Sequence, residues 1–391
     1  MKKILVLALV AIIACSSAIA EGILCTPWQI HIALSDQYTS NPASDSSFKI
    51  IFHTVEECKS AYIVLESKTS GRLALQASSV NYFAATYTQL RYSTYVHIFD
   101  TPKLNVGEVY SYTCYGDDKN TPAVGPFEFW VPSPVPNNQP TTVVLFGDMD
   151  HTLQGQNTIG LLKNLQKNNF SEISAFIHMG DIAYDLEWYG GRNGDLFMEA
   201  IQPIAARAPY MITPGNHEDY DNFTNVNMRF KMPLFSSTQN HYYSYNLGNI
   251  HFTTLNFDLV IKNPETMKYM EGWLEKDLAQ AHANRKQRPW IVVYTHRPLY
   301  CSGNYGDCKN YQKYPNIEQL MTKYKVDMFL SGHIHVYERM LPISQGKVAP
   351  FEHDPSDKDY RYIINPQAPV YVLQGSGGHL TDANDYVNYD P

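Results

Sequence analysis

Residues 176–185 read FIHMGDIAYD. An apolar run ends at Gly180, a carboxylate follows at once as Asp181, and Tyr184 stands three residues further on. Such a run, apolar on both faces, is what a strand of a covered parallel sheet requires. The glycine lets the backbone turn sharply as it leaves the strand, so the polar residues gather at the strand's carboxyl end. A carboxylate is readily used there. A phenol is harder to account for, because its reference pKa is about 10.

The layout recurs four more times. TTVVLFGDMD (141–150) delivers Asp148, and PYMITPGNHE (209–218) delivers Asn216 and His217. WIVVYTHRP (290–298) delivers His296, and VDMFLSGHIHVYER (326–339) delivers His333 and His335. Helical patterns lie between the runs, most clearly TMKYMEGWLEKDLAQAHANRK (266–286). Strands alternating with helices define an α/β layered domain. Each motif alone is weak: three fixed letters recur by chance in about one chain of this length in twenty. A lone histidine at a strand end is more often a hydrogen-bonded surface residue than a ligand. Five such motifs in order, each after an apolar strand, are not a chance pattern.

Residues 25–133 have a different texture. FKIIFHT, AYIVLES, TYVHIFD, VYSYTCYG and FEFWVP alternate with period two and are separated by turn signals such as NVGE. This predicts an antiparallel β-sandwich. PSPVPNNQP (132–140) reads as a linker. The expected organisation is a leader over 1–20, the sandwich over 21–133, a linker over 134–140 and the α/β domain over 141–391.

The first residues, MKKILVLALVAIIACSSAIAEG, have a basic start, an apolar middle and a small-residue end. They predict a signal peptide cleaved after Ala20, hence a secreted or lumenal protein (extracellular, vacuolar or lysosomal). No later run is long enough to span a membrane. Losing Lys2 and Lys3 takes the formal charge from −8 to −10. So acidic a surface argues against a nucleic-acid partner. Asn169 and Asn222 begin sequons and are candidate glycan sites. Of six cysteines, Cys15 lies in the leader, and Cys301 and Cys308 bracket a short loop and are expected to pair. Among the rest, Cys58 and Cys114 flank strand-like runs whose ends could meet, so Cys58–Cys114 is expected, with Cys25 left over.

Asp, Asn, His and Tyr without Cys select hard or borderline metals. In HIH, two residues apart on an extended segment, His333 and His335 point the same way, and each can reach one of two neighbouring ions. Asp181 has two oxygens and can bridge. This is the layout of a two-metal hydrolytic site with ions about 3.5–4 Å apart, suited to in-line attack on a phosphate ester. Tyr184 then has a use: a trivalent ion can hold a phenolate even in acid, which argues for Fe3+ at one position.

The ordered series GDMD, GDIAY, GNHE, YTH and GHIHVYER resembles the purple acid phosphatases, a branch of the calcineurin-like metallophosphoesterases. FKMP (230–233), YYSYNLGNIHF (242–252) and QGSGGH (374–379) agree with it, and the amino-terminal part is similar to the fibronectin-like domain of the large members. The resemblance implies a layered αββα catalytic domain. It implies that Asp148, Asp181, Tyr184 and His335 hold Fe3+. Asp181 would bridge to a divalent Zn2+, Fe2+ or Mn2+ held by Asn216, His296 and His333. His217 would contact the substrate, a small phosphomonoester, and protonate the leaving oxygen. Tyrosinate-to-iron charge transfer would colour the protein, and the pH optimum would be acidic, roughly 4.5–6.5.

Three departures stand out. Asp150 occupies a position where the family usually has glycine, and it is expected to turn outward to water. The loop from Arg297 to Lys309 lacks the substrate histidines of plant-type members, leaving Arg297, Tyr300 or Asn304 as substitutes. Large members usually continue beyond the point, Pro391, where this sequence stops, which leaves open that the chain is incomplete. Two other readings keep the same residues. One is a phosphodiesterase or nucleotide hydrolase on the same metals. The other is a phosphate- or metal-binding protein impaired in catalysis through Asp150. The sequence specifies neither oligomeric state nor physiological substrate.

Overall fold

A computed structural model of the chain describes residues 24–39, 46–87, 90–117, 121–137, 139–303 and 306–379. The expected leader, and Asn304, lie outside these residues. The first eight strands are β1 (Trp28–Leu34), β2 (Phe48–Thr54), β3 (Tyr62–Ser67), β4 (Gly71–Gln76), β5 (Ser79–Tyr87), β6 (Leu90–Asp100), β7 (Val109–Tyr115) and β8 (Val124–Trp130). They form two antiparallel four-stranded sheets in the orders β1-β2-β6-β5 and β4-β3-β7-β8. Period-two alternation explains the layering. In β2, Phe48, Ile50 and Phe52 enter the main core, while Ile51 joins Phe83, Val96 and Ile98 on the sheet's other face.

That outer face meets the rest of the molecule: Gln29 Nε2 donates to Asp195 Oδ1 at 2.6 Å, and His31 packs on Phe230. The second sheet joins it too, through Tyr112 of β7, which donates to the carbonyl of Ala206 at 2.8 Å. The buried Arg229 bonds both Asp195 (2.8 Å) and Gln29 (3.0 Å).

The second half holds β9 (Thr142–Phe146), β10 (Ile173–Met179), β11 (Tyr210–Thr213), β12 (Tyr242–Leu247), β13 (Ile250–Leu255), β14 (Trp290–Thr295), β15 (Met328–Ser331), β16 (Tyr337–Ser344), β17 (Lys347–Val348) and β18 (Val370–Gln374). Its main helices are α1 (Leu153–Asn168), α2 (Arg192–Ala205), α3 (Thr266–Ala283) and α4 (Pro315–Lys323). One sheet is parallel, ordered β11-β10-β9; the other runs β12-β13-β14-β15-β18-β16-β17, with β13, β14, β15 and β18 mutually parallel. Every residue of β10 is buried, as expected of a strand covered on both faces, and its buried His178 is partnered by the Tyr210 hydroxyl at 2.9 Å. Helix α3 buries Met270, Leu274, Leu278 and Ala281, one helical face, against the second sheet. The sheets approach where β9 and β18 end, joined by Gly147 N–H to the carbonyl of Gln374 at 3.0 Å. All five polar motifs therefore open on one edge.

The cysteines correct one expectation. Cys301 and Cys308 are bonded, but the second disulfide is Cys25–Cys58, and Cys114 is buried as a free thiol. The carbonyl of Leu24 accepts the N–H groups of Val55 and Glu56, which lays Cys25 beside the turn that holds Cys58. Cys114, next to last in β7, is opposite Ile63 in the β3–β7 ladder and is buried in the core, while Cys58 is already bonded to Cys25. Burial pushes its thiol pKa up and leaves it inert.

Candidate metal centre and proton donor

The loops leaving the strands are unusually bent. Asp148, Asp181, Tyr184, Asp185 and His333 all have positive φ, between 46° and 91°. Non-glycine residues seldom adopt this conformation, and their clustering marks a functional edge. The flanking glycines are needed for space. A Cβ on Gly180 would lie 2.5 Å from His296 Nδ1, and one on Gly332 would lie 2.4 Å from Asp148 Oδ2.

Two donor sets result. In the first, Tyr184 Oη lies 3.2 Å from Asp148 Oδ1 and 2.8 Å from His335 Nε2, and His335 Nε2 is 3.5 Å from Asp148 Oδ1. In the second, His296 Nε2 lies 3.1 Å from Asp181 Oδ1, 3.1 Å from Asn216 Oδ1 and 3.2 Å from His333 Nδ1. Asp181, His296 and His333 offer ligand atoms all within 4.8 Å of one another. The sets are stitched together, since the backbone N–H of His333 donates to Asp148 Oδ2 at 2.8 Å. The carbonyl of Met179, 2.8 Å from His296 Nδ1, accepts a hydrogen bond from the N–H there and leaves Nε2 as the lone-pair nitrogen.

The residues fit a pair of cations. Asp148, Asp181, Glu218 and Asp258 are each at most 3% exposed. Concentrating buried negative charge in this way is costly without cations. Burial, then the charges of Asp148 and Asp181, push the Tyr184 phenol far above its ordinary range. A phenol so placed becomes an anionic ligand only where a cation replaces its proton. The donors are oxygen and nitrogen throughout, suiting hard or borderline ions.

His217 stands beside both sets. Its Nδ1 is 2.7 Å from Asp185 Oδ1, its backbone N–H donates to Asp181 Oδ1 at 3.1 Å, and its ring packs on Tyr184. Burial would lower its pKa, but the bond to Asp185 and the charge of Asp181 raise it to about 9. With Nδ1 committed to Asp185, Nε2 carries the proton that can be given away.

Asp150 corrects a second expectation. It is 4% exposed and does not turn to water. Its carboxylate accepts the Thr152 N–H at 3.0 Å and the Thr152 hydroxyl at 2.5 Å, and lies 3.4 Å from His379 Nδ1. These local donors at the start of α1 replace the lost water. Of the three candidate substitutes for the substrate histidines, Arg297 reaches the site, with Nη1 2.9 Å from His333 Nε2. Tyr300 does not; its hydroxyl is bonded to Glu318 beneath the surface. Asn222 is exposed in a turn, while the Asn169 amide donates to the carbonyl of Leu165.

Several neighbours escaped the sequence reading. Glu218 accepts the N–H groups of Asp181, Ile182 and Gly215 at 2.8–2.9 Å, bracing two of the loops. Burial and the charge of Asp181 push its carboxyl up to about 8. His379 stacks on Tyr184 with ring centroids 3.5 Å apart. Asp185 and Glu218 adjoin residues already singled out, so adjacency was their only signal. A cleft of about 730 Å³ lined by Trp290, Arg285, Lys325 and Arg339 opens at the amino ends of β14, β15 and β18 and shares no residue with this site.

Residues 141–337 match the Calcineurin-like phosphoesterase family. Among curated proteins, the chain is 32% identical over 372 residues to acid phosphatase type 7 of Mus musculus, covering 90% of this chain and 78% of that protein. Its match to the Danio rerio protein of the same name is 36% identical over 253 residues, 60% of this chain and 54% of the relative. Purple acid phosphatase 18 of Arabidopsis thaliana is 27% identical, over 90% of this chain and 71% of the relative. The fold matches that of a purple acid phosphatase from yellow lupin seeds with a TM-score of 0.72 at 20% identity, over 94% of this chain and 66% of that one. The chain belongs to the calcineurin-like phosphoesterases and, within them, to the group of purple acid phosphatases and acid phosphatases type 7.

Proposed function

We propose that this chain is a secreted or lumenal acid phosphatase that hydrolyses small phosphate monoesters at a pair of metal ions. The observation that carries the reading is the convergence of the two donor sets, with Tyr184 in one and His217 beside both. Asp148, Tyr184 and His335, with one oxygen of Asp181, would hold Fe3+. Asn216, His296 and His333, with the other oxygen of Asp181, would hold Zn2+, Fe2+ or Mn2+. When bound, such a pair polarises a phosphate ester and lowers the pKa of water, so that hydrolysis proceeds in mild acid.

The chain's own groups have separate tasks. His217, oriented by Asp185, donates its Nε2 proton to the leaving oxygen. Arg297, held by Asp258 at 2.6 Å, brings positive charge beside His333 and steadies the phosphate where plant-type members use histidines. The names of the relatives support a phosphatase, and two disulfides with an apolar leader support an oxidising compartment.

The test is elemental analysis of the purified protein together with assays on p-nitrophenyl phosphate and on its bis-ester across pH. Two ions per chain, an acid optimum and preference for the monoester are expected. Preference for the diester would move the assignment to a phosphodiesterase. No hydrolysis of either by the metal-loaded protein would overturn it.

A further inference from the structure

The loop closed by Cys301–Cys308 touches the site through Asp307. Asp307 Oδ2 lies 2.9 Å from His333 Nε2 and accepts from Arg297 Nη1 at 2.7 Å; Lys313 approaches Oδ1 at 3.4 Å. The opposite nitrogen of the same ring, His333 Nδ1, faces His296 Nε2 in the second donor set. A histidine ligates through a bare nitrogen, so its other nitrogen must carry the proton, and the group that accepts that proton sets the tautomer. Arg297 Nη1, 2.9 Å from His333 Nε2, can only donate. Alone, it would favour the wrong tautomer, with the proton on Nδ1. A carboxylate at the same point reverses the choice and engages the guanidinium as well.

We propose that Asp307 is the positioning residue that holds His333 in its ligating tautomer, and that the Cys301–Cys308 bridge exists to keep Asp307 there. The inference rests on the metal-pair reading above. Asp307 adjoins Cys308 in the short turn Gly306–Lys309, so the bond anchors the backbone one residue from the carboxylate. Its side chain is 22% exposed, so its reach to His333 depends on where the backbone of this loop is held, and a loop left open would have many other conformations. The clamp acts on the ion held by Asp181, Asn216, His296 and His333, and leaves the Asp148–Tyr184–His335 side untouched.

The experiment is calorimetric titration of Zn2+ into full-length protein depleted of its more labile ion, with elemental analysis of what remains. Wild type, Asp307→Asn, Asp307→Ala and the double change Cys301→Ser with Cys308→Ser are compared, and the melting temperature of each is recorded. Asp307→Ala should weaken Zn2+ binding about 10- to 100-fold. The isosteric Asp307→Asn should lie between it and wild type, and the double serine variant should also bind more weakly. The ion on the tyrosine side should stay at full occupancy in all of them, which a general loosening of the fold would not produce. Unchanged Zn2+ affinity in both Asp307 variants overturns the inference while leaving the metal-pair reading intact. A wild type that binds no second ion overturns the reading beneath it, and this inference with it.

Discussion

At the scale of single residues, Tyr184 and His217 divide the chemistry. Tyr184 earns its place only as an anion, since its hydroxyl faces Asp148 and His335 in a buried, carboxylate-rich setting. Tyr184→Phe should abolish a visible absorption band while iron remains bound; a wild type with full iron and no such band refutes the ligand role. His217 lies at the edge of both sets, and its Nδ1 is spent on Asp185. His217→Ala should therefore lower kcat about 100-fold with both metals retained. Metal analysis decides, because loss of an ion on substitution makes His217 a ligand. Asp185→Asn should have a smaller effect of the same kind, since it disturbs only the orientation of the ring.

At the scale of elements, the motifs were legible because each sits where an apolar strand stops. Period and position together located Asp148, Asp181, Asn216, His296 and His333 without any tertiary information. The helix expected over 266–286 spans 266–283, since its apolar stripe is regular. The sequence was silent where a contact joins distant segments. The Cys25–Cys58 pairing depends on how the chain enters β2, and Asp307 carries no local pattern that would tie it to His333, 26 residues away. Asp150 was misjudged for a related reason: a carboxylate prefers water unless its own turn supplies donors, and here Thr152 supplies two. Replacing Asp150 with the family's usual glycine should cost about 1–2 kcal/mol by leaving the Thr152 N–H and hydroxyl without their acceptor. Thermal melting of Asp150→Gly beside wild type checks this; equal melting temperatures would show that the two bonds contribute nothing net.

At the scale of the whole molecule, the join between sandwich and phosphoesterase domain sets a limit on acid tolerance. His31 and His53 are fully buried on the sheet face that meets Arg229, Phe230 and Lys231, and neither ring nitrogen of His53 has a hydrogen-bond partner among the described residues. Burial, aided for His53 by the charge of Arg229, depresses both; His31 falls to about 4. His97, inside the sandwich against Phe52, is likewise lowered by burial to about 4. In the unfolded chain these rings would titrate near their ordinary value of about 6.5. Between the two values the unfolded state binds protons that the folded state refuses. Their contribution is thus complete above about pH 6.5 and is lost progressively as pH falls toward 4. For His31 the difference converts to roughly 3 kcal/mol. That window overlaps the acid range in which the enzyme is expected to work, so activity and stability pull in opposite directions across it. His53→Leu removes one of the refused protons without breaking a hydrogen bond, and leaves a side chain suited to the apolar patch of Ile51, Val96 and Ile98. Melting temperatures measured from pH 7 down to pH 4.5 should fall less steeply in His53→Leu than in wild type, with the two curves separating below pH 6.5. Parallel curves would mean that His53 takes up its proton in the folded state, through water or a shift of the neighbouring Arg229.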